Sequence, residues 1–459
     1  MTLFAAWSEI VADWAPSFPQ SRTFRRATRQ ALGALVCVGR RCLSRIIWTQ
    51  GRQQRSWSSE YFLHSRCHWE PQTLFAGVWR RALPYCRGRL VGVAVDDTRL
   101  RKTGRAIPQA RYHRDPLSPP FHVNLMYGLR FLQASLLLPL HRRGNASCRA
   151  LPVRFEEAAP VKEPSRKAGE EAWQEYKKMR KLHNLSQRLV QSVAPLRQAL
   201  DAAGGTAKLL VLALDGSFCN RTCFRAPRDR TELIARTRKD ARLCFRAPQP
   251  SRRFYALSTF TPEQVREDAA HSWKQTKLFY GGKRRRIRYK EVTQVYWRRG
   301  AGQIPLRLFI VAPTPYRKRK SSKLYYRQPA YLLSTDLKHS APQLLQIYFD
   351  RWQIEVNHRD EKDTLGVGQA QLWNIDAVPK QPALVVAAYS ALLLAALQAF
   401  GTARGQSYQA LPKWRRKAHR PSCLDLVTLL RQEMVDHPEC PQSLGFQLTD
   451  RNLTLAADA

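Results

Sequence analysis

Acid is what this sequence is short of. Asp and Glu total 35 against 77 Lys and Arg, leaving a formal charge of +42 over 459 residues. Such an excess repels itself in a folded chain and is sustained where a polyanion regularly neutralises it. The cations run along the whole chain. That favours nucleic acid over a membrane surface, where they would gather on one helix or beside one span.

Other absences narrow the field. Neither GxGxxG nor GxxxxGK[ST] occurs, so the usual dinucleotide and P-loop cradles are missing. Ten cysteines form no framework. Cys219 and Cys223 make a C-x3-C pair, but no second pair follows at zinc-site spacing, and reduced thiols are expected. The opening MTLFAAWSEIVADW lacks a basic lead before an apolar core, so no signal peptide is expected. Only Ala383–Phe400 approaches the length of a membrane span, and it carries Tyr389, Ser390 and Gln398. It reads as a buried core helix. The repeated CFRAP at 223–227 and 244–248 is too short to signify.

With 44% apolar residues the chain can bury a full core and fill two or three domains. Residues 1–88 read as a helical, basic region without a diagnostic helix-turn-helix pattern. A buried strand follows, RLVGVAVDDT, ending at Asp96, Asp97 and Thr98. Phe121–Leu140 is long enough for two strands or one bent one, and 141–165 reads as a Pro- and charge-rich surface connection. A long helix is expected from Glu170, with Leu185, Leu189, Val193, Leu196 and Leu200 at helical steps and Gly204-Gly205 as its stop. KLLVLALD, 208–215, is a second buried strand, and Arg236–Phe245 reads as another. Residues 250–328 alternate in the manner of an antiparallel β insertion with basic loops. AYLLSTDL is a short strand. Ser340 then caps a helix running from Ala341-Pro342 through Lys362.

The segment YFDRWQIEVNHRDEK, 348–362, carries the chemistry. Steps of seven drift little on a helix, so Tyr348, Glu355 and Lys362 should share a stripe, flanked by Arg351 and Arg359. Phenol, guanidinium, carboxylate and ammonium make a poor core face but a good one for a phosphate beside a metal. This pattern, Tyr-x2-Arg-x3-Glu-x6-Lys, resembles the signature of bacterial insertion-sequence transposases of the DDE, RNase H-like superfamily. The likeness extends over roughly 60–400, with one strand ending in Asp-Thr and another in Asp-Gly-x-aromatic (Asp215, Gly216, Phe218).

The resemblance implies an α/β fold: an RNase H-like core over 89–249 and 329–400, interrupted by the β-rich insertion 250–328. The helical region 1–88 would bind DNA, and 401–459 would form a C-terminal region. It implies that Asp97, Asp215 and Glu355 hold two Mg²⁺ or Mn²⁺ ions, which suit hard carboxylate oxygens and phosphodiester chemistry. Tyr348, Arg351 and Lys362 would grip DNA phosphates. Asp97 is preferred to Asp96 because it directly precedes Thr98, as in the family; strand alternation admits only one of the two. Trp273 and Trp297 are candidates for stacking on a base.

Singly, each feature has a bland reading: a strand-end Asp caps a turn, and a Glu between arginines is a solvated ion pair. Together they stand in the order that one active site requires. The expected activity is metal-dependent cleavage and strand transfer that moves an insertion sequence by cut and paste. The expected partners are double-stranded DNA, terminal inverted repeats, target DNA and a second copy of the chain bound on DNA. A cytoplasmic, nucleoid-associated bacterial setting goes with these. One alternative is a domesticated nuclease or DNA-binding regulator that no longer transposes. Another is a basic structural nucleic-acid protein whose carboxylates only form ion pairs.

Overall fold

In the computed structural model, which describes residues 1–447 apart from 116–117, 120, 123, 144–146, 320, 415–417 and 419, the chain begins with short helices. These are α1 (Leu3–Ala12), α2 (Ser21–Val36), α3 (Leu43–Thr49), α4 (Ser58–Ser65) and α5 (Ala76–Ala82). Four strands follow: β1 (Leu90–Arg101), β2 (Arg111–Arg114), β3 (Leu125–Leu138) and β4 (Arg149–Glu157). Helices α6 (Glu170–Leu182) and α7 (Leu185–Ala202) lead to β5 (Leu209–Leu214), α8 (Arg221–Arg225) and β6 (Thr231–Arg236). Then come α9 (Pro262–Glu267), β7 (Lys274–Tyr280), β8 (Lys283–Tyr296) and β9 (Pro305–Val311). A small ribbon, β10 (Pro315–Tyr316) with β11 (Tyr325–Tyr326), precedes β12 (Ala330–Ser334). The chain continues through α10 (Ala341–Asp350), α11 (Gln353–Arg359), α12 (Ala377–Phe400), α13 (Cys423–Asp436) and α14 (Glu439–Ser443).

Leu90–Val95 is wholly apolar and wholly buried, as a strand covered on both faces must be. It is the hinge of the sheet. β1 pairs antiparallel with β3 and parallel with β5, and β5 pairs parallel with β6. With β4 antiparallel on the outer edge of β3, the order β4-β3-β1-β5-β6 is the RNase H-like core. The parallel step needs a crossover, which α6 and α7 supply between β4 and β5. The sheet does not stop at β6. β12, β9, β8 and β7 extend it, so the β-rich strands of 250–328 join the core sheet through β12.

Four expectations need correction. Residues 149–157 are β4, a buried strand, where a surface connection is expected. Its Pro and charges disguise it, but it sits on an edge of β3, where a missing ladder donor is tolerated. The helix from Glu170 is two helices, because Asn184 caps α7 by accepting the Gln187 N–H at 3.0 Å. The strand expected at 236–245 lies earlier, at Thr231–Arg236, and 237–245 holds only isolated bridges. The helix from Ala341 to Lys362 is interrupted at Arg351-Trp352 and ends in a π-helical turn, Asp360–Thr364.

Helix α12 is the core helix, and among the described residues it alone is long and apolar enough to cross a membrane. Its polar groups are satisfied by protein. The Tyr389 hydroxyl donates to Asp360 Oδ2 at 3.1 Å, and Ser390 Oγ donates to the Pro152 carbonyl at 2.6 Å. Trp7 of α1 donates to the Ala388 carbonyl, while Glu433 of α13 accepts the Leu3 and Phe4 N–H groups. Helices α1 and α13 therefore pack together against one central helix. The expected C-terminal region, 401–459, lies outside the described residues beyond 447.

Candidate active site

Register decides which carboxylates can meet. Val95 of β1 is level with Leu214 of β5 in a parallel ladder, so the next residues, Asp96 and Asp215, stand side by side on one face. Asp97 falls on the other face. It lies beside Arg99, 3.4 Å away, and feels Arg130, Asp215 and Lys362. The pair that the strands bring together is Asp96 with Asp215, whereas the sequence argument favours Asp97 with Asp215. The difference is one step of strand alternation.

Glu355 reaches the same face from α11. The buried stripe of this segment is Ile354, Asn357, His358 and Glu361, at steps of three, one and three. Two of these are tied to the sheet. Asn357 Nδ2 donates to Ser135 Oγ and to the Ala150 carbonyl, both at 3.2 Å. Glu361 accepts from Gln133 Nε2 at 2.9 Å. Gln133 is level with Asp96 across the β1–β3 ladder, so the tether lies next to the carboxylates it helps to align. Glu355 itself stays half-exposed at the edge of the stripe, its side chain 40% accessible.

The local field is strongly negative. Burial first, then Asp215, Glu355 and Asp97, push the Asp96 pKa up to about 7. Arg351 partly offsets this, with Nη1 3.9 Å from Asp96 and 3.7 Å from Glu355. Neither its Nε nor its Nη1 finds a hydrogen-bond partner. The guanidinium thus holds the place of a cation without fitting it closely. Tyr348 packs at 5.8 Å from the Arg351 guanidinium and feels Arg236 and Asp215. Lys362 feels Glu361, Arg99, Asp363 and Asp97.

Asp215 and Glu355, with Tyr348 and Arg351, open into a cleft of about 1110 Å³. Arg236, Arg238, Lys239, Arg242 and Arg299 line its walls and are all exposed. A basic groove over an acidic floor suits a polyanion whose reacting phosphate must approach carboxylates. The sequence profile of the DDE superfamily endonucleases matches residues 14–303, well over half of the chain. The chain belongs to that family. No curated protein matches it. A DDE endonuclease acts on DNA, and the RNase H-like order of strands β4-β3-β1-β5-β6 is the fold such an enzyme requires.

The donor set fits divalent ions of the kind that such nucleases use: hard carboxylates crowded until one resists ionisation, with a cationic side chain standing in loosely. One residue here is the member of its doublet not preferred from sequence, and another has no place among the sequence expectations. Asp96 was legible, because the apolar run of β1 ends at Val95 as that of β5 ends at Leu214. His358 was not singled out, though it stands three residues after Glu355 on the buried stripe. Its ring and the carboxylates of Asp96 and Glu355 place donor atoms within 4.8 Å of one another. Burial, then Lys362, holds its pKa down to about 3, so it is neutral with a lone pair to give. Trp297 lines the cleft and packs edge-on against Phe224. Arg288 and Lys290 lie over the Trp273 ring, at 5.2 and 5.0 Å.

Proposed function

We propose that this endonuclease is an insertion-sequence transposase that cleaves DNA and transfers strands with Mg²⁺ or Mn²⁺, using Asp96, Asp215 and Glu355. The observation that carries the reading is the shared face of Asp96, within β1, and Asp215, just past the end of β5, with Glu355 above them. Two ions there would activate the attacking oxygen and stabilise the leaving oxygen. The carboxylates hold charge in place, on a paired strand, a strand end and a tethered helix. Tyr348 and Arg351 would grip the phosphate nearest the cleft, Arg351 swinging off the carboxylates onto the DNA. Lys362, beside Asp97, would contact a phosphate further along. Asp97 then serves as the counter-charge of Arg99, Arg130 and Lys362.

In the same reading, residues 1–88 bind terminal inverted repeats, 250–328 lengthen the DNA-binding sheet, and two copies join both ends before insertion into target DNA. The test is cleavage of a supercoiled plasmid carrying the gene with its flanking DNA. Cutting is expected with Mg²⁺ or Mn²⁺ and not in chelator. Asp215→Asn and Glu355→Gln should each lose about two decades of rate or more, since ion-held charge stabilisation is worth several kcal/mol. DNA binding should persist in both. Metal-independent cutting, or near wild-type rates in either variant, would contradict the proposal.

A further inference from the structure

We infer that His358 supplies a nitrogen ligand to the metal centre, making it a mixed oxygen–nitrogen site that prefers Mn²⁺ to Mg²⁺. The inference rests on the metal-dependent reading above and adds a ligand and a selectivity to it. Among the described residues, Asp96, Glu355 and His358 are the group whose donors converge on one point, all within 4.8 Å of one another. A metal with bonds of about 2.1 Å spans opposed donors about 4.2 Å apart. Side-chain rotation of a few tenths of an ångström closes that gap.

The imidazole is not explained by packing alone. His358 is 7% exposed, and its Nε2 is fully shielded with no hydrogen-bond partner. It stands beside two carboxylates yet makes no hydrogen bond to either through that atom. A buried polar atom left unpaired costs about 1–3 kcal/mol, which an ion bound at Nε2 would recover. Its position is fixed by its neighbour Asn357, held to Ser135 and Ala150. The Arg351 guanidinium, 3.7 and 3.9 Å from the same two carboxylates, already marks where positive charge is stabilised. Imidazole nitrogen suits the transition-metal series, whereas Mg²⁺ favours oxygen and retains its waters.

Pulsed electron paramagnetic resonance of Mn²⁺ tests this on the full chain bound to duplex DNA, with histidine labelled with ¹⁵N. A coupling from directly bound imidazole nitrogen is expected in the wild type and should vanish in both His358→Asn and Asp96→Asn. Competition between Mn²⁺ and Mg²⁺ should show the Mn²⁺ preference falling about tenfold or more in His358→Asn. Should that variant fail to fold by circular dichroism, the wild-type and Asp96→Asn spectra decide. Mn²⁺ bound through oxygen alone overturns the role of His358 and leaves the carboxylate site standing. A nitrogen coupling that survives His358→Asn also overturns it. Absence of any Mn²⁺ signal dependent on Asp96 overturns both this inference and the metal reading.

Discussion

Asp96 and Asp97 are the same chemistry one residue apart, and only parity on β1 separates them. The Asp-Thr resemblance points to Asp97; the β1–β5 register puts Asp96 beside Asp215. The sequence held the cue in the matching ends of two apolar runs, but cross-strand register is a tertiary fact. Glu361 shows a second limit. Nothing local marks it as buried, yet it sits under the site, accepting from Gln133, and burial pushes its pKa up to about 8. Its folded pKa exceeds the unfolded value near 4.5, so its contribution is full below about pH 4.5 and lost as pH rises to about 8, at about 1.4 kcal/mol per unit. Glu361→Gln removes that dependence. Its Tm should pull ahead of the wild type's between pH 5 and 8 and stay parallel above. Melting curves that track together across pH 5 to 8 would contradict this.

Spacing rules failed where helices did not run straight. The seven-residue steps from Tyr348 to Lys362 presume one continuous α-helix, but the chain breaks at Arg351-Trp352 and loosens into the π-helical turn. The breaks go with Asn357 and Glu361 both reaching sheet partners, and Lys362 feels Glu361, Arg99 and Asp97. Elements with strong patterns were legible: β1, β5, β9, β12 and α12 lie where their apolar runs place them. β4 was not, its Pro and charges outweighing its pattern. One glycine fixes how α10 sits. A Cβ on Gly92 would meet Ile347 Cγ2 at 2.9 Å, so the helix leading to Arg351 packs closely on β1. Gly92→Val should lower stability by about 1–3 kcal/mol through overpacking and reduce cleavage as well. Gly92→Val with Ile347→Ala should recover part of both. An unaltered denaturation midpoint in the single variant would show that α10 does not rest on this contact.

Across the whole molecule, charge and strand order told most. The +42 excess predicts a polyanion partner, and a cleft walled by arginines and Lys239 gives it a place. The α/β core was readable as strand, strands, helix, strand. That strands of 250–328 would extend the same sheet, and that α1 and α13 would pack against α12, depended on contacts between distant segments and left no local trace. We propose that Asp96, not Asp97, completes the carboxylate set. Metal-dependent plasmid cleavage by Asp96→Asn and Asp97→Asn, measured side by side, tests it. Asp96→Asn should lose about two decades of rate or more, while Asp97→Asn should stay within about one decade of wild type. Loss of cleavage in Asp97→Asn with activity retained in Asp96→Asn would contradict it.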